Sequence, residues 1–140
     1  MAAEFDPQNP AWQAGIADAY VKLGDLPAAL AAYERAVELS PNEAAYWRRL
    51  AVFCAENGIH VEEIAIPAAQ QAVAFAPNDP SSLDALGVAY FSSGRYASAE
   101  QVFMQALEFD PVYFPAHIHL AMNYLAQGNR AASYNSLVFV

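Results

Sequence analysis

Four sets of side chains in this sequence are of types that could carry chemistry. His117 and His119 are both potential nitrogen ligands. Two residues apart on a helix, however, they point about 200° from one another and cannot offer a metal ion one common face. His60 stands alone, and the neighbouring Glu62-Glu63 reads as a solvated pair of helix-start acids rather than an acid/base couple. Cys54 is the only cysteine, so it closes no intrachain disulfide; among alanines it reads as a small buried hydrophobe. The serines at 81–82 and 92–93 are accounted for by caps and turns, and the sequence holds no phosphate-cradling glycine loop or clustered Cys/His set. The expectation is a chain with no catalytic residues, no metal site and no cofactor.

Composition narrows the remaining classes. Six Lys and Arg against fifteen Asp and Glu give a net charge of -9, a surface that repels phosphate, so nucleic acid is not an expected partner. With 56% hydrophobic and 15% charged residues over 140 positions, the chain has ample apolar surface for one continuous core. Thirty-one of its residues are alanine, which favours closely crossing helices over a sheet. The longest charge-free run, 111–129, holds two prolines, two histidines, Asn123 and Gln127, and a lipid-facing helix would not carry these. Met1 to Pro10 lacks the basic and apolar segments of a secretion signal. A soluble, cytoplasmic chain with no membrane insertion is expected. Beyond Pro111 only Arg130 is charged, so something apolar is expected to cover that end.

The elements that position these residues come from a repeat. Gly24, Gly58, Gly94 and Gly128 are separated by 34, 36 and 34 residues, and Pro7, Pro41, Pro77 and Pro111 keep the same steps. Glu4-Phe5-Asp6-Pro7 returns as Glu108-Phe109-Asp110-Pro111. A unit of this length, with a central glycine and a proline near its end, suits two short antiparallel helices. Leu83, Leu86-Gly87, Tyr90, Gly94, Tyr96, Ala99, Phe103, Ala106 and Pro111 fall in the order and spacing of the tetratricopeptide repeat, and the chain resembles that family. Ile16-Ala17, Tyr20, Ala29, Tyr33 and Ala36 match in the first unit; Trp47, Leu50-Ala51, Ala65 and Ala72 match in the second; Leu120-Ala121 and Tyr124 match in the fourth.

The resemblance implies an all-α, right-handed superhelical solenoid. The reading is a single array over 1–140 with units at about 10–43, 44–79, 80–113 and a truncated 114–140, and 1–9 as the tail of a preceding unit. Eight helices are expected, at about 10–23, 26–39, 44–57, 66–76, 80–93, 96–109, 114–127 and 130–140. The second unit carries two extra residues near 59–66 and a proline at 67. Proline in a helix interior costs about 3 kcal/mol, so that helix is expected to start near Ile66 after a longer loop over 59–65. Gly87 and its counterparts Ala17, Ala51 and Ala121 are small where helices must cross closely.

What remains for function is surface. The first helices of successive units line the concave side of such an array. Their inward stripe includes Asp18, Lys22, Arg48, Arg49, Val52, Glu56, Asp84, Val88, Phe91, Ile118 and Met122 as candidate groove residues. The resemblance implies a peptide or partner helix laid along that groove by a noncatalytic protein-protein interaction scaffold. Phe91, Ile118 and Met122 would accept apolar side chains, Arg48 and Arg49 a carboxylate, and Asp18, Glu56 and Asp84 basic residues. Family members that grip the C-terminal carboxylates of chaperone tails use Lys, Arg and Asn at inward positions. Here the matching positions hold Ala14, Asp18, Arg49, Ser81 and Ala85, or Arg48, Val52, Ala85, Pro115 and His119, so that clamp is missing. An alternative reading is a structural or oligomerisation segment, from a longer array or pairing with another copy of itself. Its interface would be the apolar end formed by Tyr134, Leu137, Val138, Phe139 and Val140.

Overall fold

Asn9-Pro10, Asp25-Leu26-Pro27 and Asp79-Pro80 set where three of the helices begin. The side chain of Asn9 accepts from the Ala11 N–H at 2.9 Å, Asp25 from Ala28 at 3.2 Å and Asp79 from Ser81 at 2.9 Å, each capping a helix with proline in its first turn. The structure, a computed structural model, describes residues 6–138. Eight α-helices follow one another: α1 Pro10–Leu23, α2 Leu26–Leu39, α3 Ala44–Asn57, α4 Ile66–Phe75, α5 Pro80–Ser92, α6 Tyr96–Phe109, α7 Phe114–Ala126 and α8 Arg130–Val138. No strand occurs among the described residues.

The periodic glycines end the first helix of each unit. All four are left-handed, with φ between 64° and 79°, and the next N–H reaches back to the same place each time. Asp25, Ile59, Arg95 and Asn129 donate to the carbonyls of Tyr20, Cys54, Tyr90 and Tyr124 at 2.8–3.0 Å. A second tie closes the outer corner of a unit. The Gln13 side chain donates to the Pro7 carbonyl at 3.0 Å, the Trp47 indole to Pro41 at 2.7 Å and Nε2 of His117 to Pro111 at 2.8 Å. These three chemically unlike residues occupy one repeat position; Leu83 holds it in the third unit.

The expected loop at 59–65 is instead helical. Val61–Ala65 form one π-helical turn leading straight into α4, with the Ile66 N–H bonded to the Val61 carbonyl five residues back. In a continuous α-helix the Pro67 ring would press on the carbonyl four residues earlier, and the wider i→i+5 spacing removes that contact while absorbing extra length. His60, at φ 46°, and left-handed Gly58 together turn the chain into it. The start of α4 at Ile66 is as expected.

Helices pair within units as α1 with α2, α3 with α4, α5 with α6 and α7 with α8, and each unit packs on the next. One core of alanines, Tyr33, Leu50, Phe53, Cys54 and Ile66 runs through the first three units, and smaller clusters around Leu83 and Phe103 continue it to α7. A close crossing lies at Gly87, where an added Cβ would lie 2.3–2.7 Å from the ring of the fully buried Phe103. Ala17, Ala51 and Ala121 at the same register are also buried. Cys54 is fully buried, and burial pushes its thiol up to about 11, as the hydrophobe reading requires. Gly87→Ala is therefore expected to cost about 1–3 kcal/mol in urea denaturation. Adding Phe103→Leu should recover part of that loss, and strict additivity of the two would refute the contact.

Candidate functional site

Two adjoining hollows lie along the face formed by α3, α5 and α7. The larger, about 450 Å³, is lined by Arg48, Arg49, Val52, Glu56 and Asp84 together with Tyr33, Ser81 and Tyr113. The smaller, about 300 Å³, is lined by Glu56, Val88, Phe91 and Met122 with Phe103 and His119. Glu56 borders both. Of the residues expected in the groove, eight therefore line these hollows. Asp18 reaches the larger one through its partners; Lys22 is exposed on α1, and half-buried Ile118 lines neither hollow.

Charges on this face are mostly matched within the chain. Arg49 on α3 pairs with Asp18 on α1, and the Tyr33 hydroxyl donates to the same carboxylate at 2.6 Å. Arg48 reaches Asp79, the α5 cap, at 3.5 Å. Asp84 is buried and held by Nδ1 of His119 at 2.8 Å, and the His119 ring lies 5.7 Å from that of Phe103. Arg48, Arg49 and Asp84, expected to meet charges on a ligand, are thus committed to partners one unit away. Glu56 forms no ion pair among the described residues and faces solvent where the hollows meet.

Electrostatic shifts follow the same contacts. Partial burial works against ionisation of Asp18, but the Tyr33 hydroxyl and the Arg49 guanidinium hold its carboxyl below the usual range. Burial, then the hydrogen bond to Asp18, pushes the Tyr33 phenol up. Burial also raises the Tyr113 phenol, reinforced by Asp84 and Asp79 and opposed by Arg48. Tyr113, absent from the sequence-derived groove set, occupies the position that holds Asn9 and Asp79 in other units; an aromatic where those units place a cap was the available signal. The two histidines do face apart as expected, one to a backbone carbonyl and one to a carboxylate. Among the described residues no group of three or more His, Cys, Asp or Glu could hold a metal ion, and no helix is long and apolar enough to cross a membrane.

Stacked helix pairs presenting a lined concave face define a helical-repeat solenoid. Residues 15–80 and 80–111 match two family models, each described as a tetratricopeptide repeat, and the chain belongs to that family. It is 38% identical over 87 residues to the small glutamine-rich tetratricopeptide repeat-containing protein 2 of Mycosarcoma maydis, covering 62% of this chain and 24% of that protein. The chain thus spans about a quarter of that relative's length. Among solved structures it resembles TTC0263, a thermophilic TPR protein of Thermus thermophilus, with a TM-score of 0.80 at 23% identity, covering 93% of this chain and 72% of that one. The first TPR of Spaghetti (RPAP3) bound to the HSP90 peptide SRMEEVD superposes with a TM-score of 0.70 at 19% identity, covering 91% and 99%.

Because the Asp18 carboxyl is depressed in the folded chain, its contribution to stability is full above its unfolded value near 3.8 and is lost as pH falls through the folded value. Asp18→Asn should therefore flatten the acid limb of a stability-versus-pH curve measured by urea denaturation. An unchanged acid limb would show that the Tyr33–Asp18–Arg49 cluster contributes nothing there.

Proposed function

We propose that this chain is a noncatalytic interaction scaffold whose groove takes an extended peptide or a partner helix. The ligand would place an apolar side chain in the Phe91–Met122 hollow and a basic residue over Glu56. The observation that carries this reading is the position of Glu56, the groove carboxylate without a cation, where the hollow lined by Arg48 and Arg49 meets the hollow lined by Phe91 and Met122. An apolar anchor beside a cation is the ligand pattern such a junction complements, the first supplying affinity and the second register.

The pairing inside the groove argues against an acidic ligand. The peptide held by the RPAP3 neighbour, SRMEEVD, ends in acids. Here Arg48 and Arg49 already hold Asp79 and Asp18, while Ala14 and Ala85 are buried and carry no charge. A negative tail would have to displace internal carboxylates and would then meet Glu56.

Selection from a random peptide library on the immobilised protein tests this. Enriched sequences should carry Lys or Arg near a large apolar residue. Phe91→Ala should weaken a selected peptide by about tenfold or more in fluorescence anisotropy, the scale of a lost buried anchor. Glu56→Lys should abolish the preference for a basic residue. Enrichment of acidic termini whose binding is indifferent to Glu56→Lys would overturn the assignment.

A further inference from the structure

Two further hollows share no lining residue with the groove. One of about 310 Å³ lies among α2, α3, the π-helical turn and α4, and one of about 420 Å³ among α6, α7 and α8. Both occupy the same place in the repeat. Val37, Trp47, Leu50 and Pro67 of the first correspond to Leu107, His117, Leu120 and Asn135 of the second. The stacking of one unit on the next therefore makes the space, and the side chains placed around it decide what it can hold.

The two hollows are furnished differently. No Asp, Glu, Lys or Arg lines the one beside α6. The one beside α2 has Glu34 where the other has Met104, and is lined also by Glu38 and Glu63. Glu38 holds Arg35 at 3.3 Å, whereas the carboxylates of Glu34 and Glu63 form no hydrogen bond or ion pair among the described residues. Glu34 is half-buried, so its charge is partly stripped of water and gains from a cation brought to it.

The rest of the lining is apolar and already held in place. Val37 and Leu50 are buried, and the Trp47 ring is fixed by its bond to the Pro41 carbonyl at 2.7 Å. Ile64 belongs to the π-helical turn, which Arg95 ties down through Glu62 at 2.6 Å. A ligand therefore finds a formed wall and orders little of it on binding. Unpaired carboxylates beside an apolar wall match a lysine or arginine side chain, whose stem favours apolar surface and whose head carries the charge.

We propose that this hollow is a second docking site, which takes one Lys or Arg of a partner polypeptide, its stem against Trp47 and Ile64 and its cation against Glu34 and Glu63. The site is independent of the groove reading, since no residue lining either groove hollow takes part.

The test is an NMR titration of the isotope-labelled protein with the peptide acetyl-Gly-Leu-Lys-Leu-Gly-amide. A second titration uses its norleucine counterpart, which keeps the stem and lacks the charge. The lysine peptide should move the Trp47 indole N–H and the Ile64 and Gln71 amide resonances saturably. The norleucine peptide should bind about fivefold or more weakly, the scale of one or two exposed ion pairs. Glu34→Gln combined with Glu63→Gln should bring the lysine peptide down to the norleucine level. Trp47→Leu, which installs the residue that the third unit carries at this register, should remove the binding. Glu56→Lys, in the groove, should leave these shifts unchanged. Resonances that stay in place up to about 10 mM peptide, equal binding of the two peptides, or a doubly substituted Gln variant that binds like the parent would each reject the site. Loss of the shifts in Glu56→Lys would also reject it and assign the binding to the groove. If circular dichroism shows that Trp47→Leu has lost helix, the doubly substituted Gln variant decides alone.

Discussion

How closely two helices may cross depends on the side chains at the crossing point, and in this chain that distance governs everything above it. At Gly87 no side chain separates the α5 backbone from the Phe103 ring, and Ala17, Ala51 and Ala121 keep the corresponding places small in the other units. A close crossing makes each unit thin. Thin units stack with their first helices side by side, and the spaces between those helices become the hollows at Val52 and Val88. A bulkier residue at the crossing would therefore alter the groove without touching any residue that lines it.

The crossing positions, the left-handed glycines and the capped starts were all legible in the sequence, because each is a local requirement repeated at a fixed interval. The turn at Val61–Ala65 was not. Local rules state that proline disfavours an α-helix around Pro67, and they do not choose between a loop and a widened helix. That choice is made by Ala65 and Ile66, which are buried against the core and gain from staying helical. For the groove, helical spacing identified the stripe, and Val52, Glu56, Val88, Phe91 and Met122 line the hollows. The commitments of Arg48, Arg49 and Asp84 escaped notice because their partners lie 31, 31 and 35 residues away. The signal that could have found them was a pair of opposite charges about one repeat apart on adjacent elements. Of the apolar end foreseen at 134–140, Tyr134, Leu137 and Val138 are exposed, while Phe139 and Val140 lie outside the described residues.

Electrostatics in this molecule mostly joins unit to unit. Arg49–Asp18, Arg48–Asp79 and His119–Asp84 each span one joint along the concave face, and Arg95–Glu62 at 2.6 Å ties α6 to the π-helical turn. The exposed pairs among them, Arg49–Asp18 and Arg95–Glu62, contribute about 0–1 kcal/mol each, so their value lies less in stability than in fixing the angle between neighbours. Using three of its six Lys and Arg in this way leaves the chain's excess of carboxylates facing solvent, and Glu56 is the member of that excess that lines the groove.

The bonds from Gln13, Trp47 and His117 to three proline carbonyls carry a consequence for how such chains change. In three of the four units the corner is closed by a hydrogen directed at a fixed backbone oxygen, and an amide, an indole and an imidazole all supply it, while the third unit does without at Leu83. Because the acceptor belongs to the backbone, it survives any substitution of its own side chain, and the donor is constrained in reach rather than in identity. Two units can therefore be interchangeable mechanical parts while a residue-by-residue comparison scores them as unrelated at this position. Substitutions can drift through such a site among dissimilar donors, and the shape of the array is inherited even where its spelling is not.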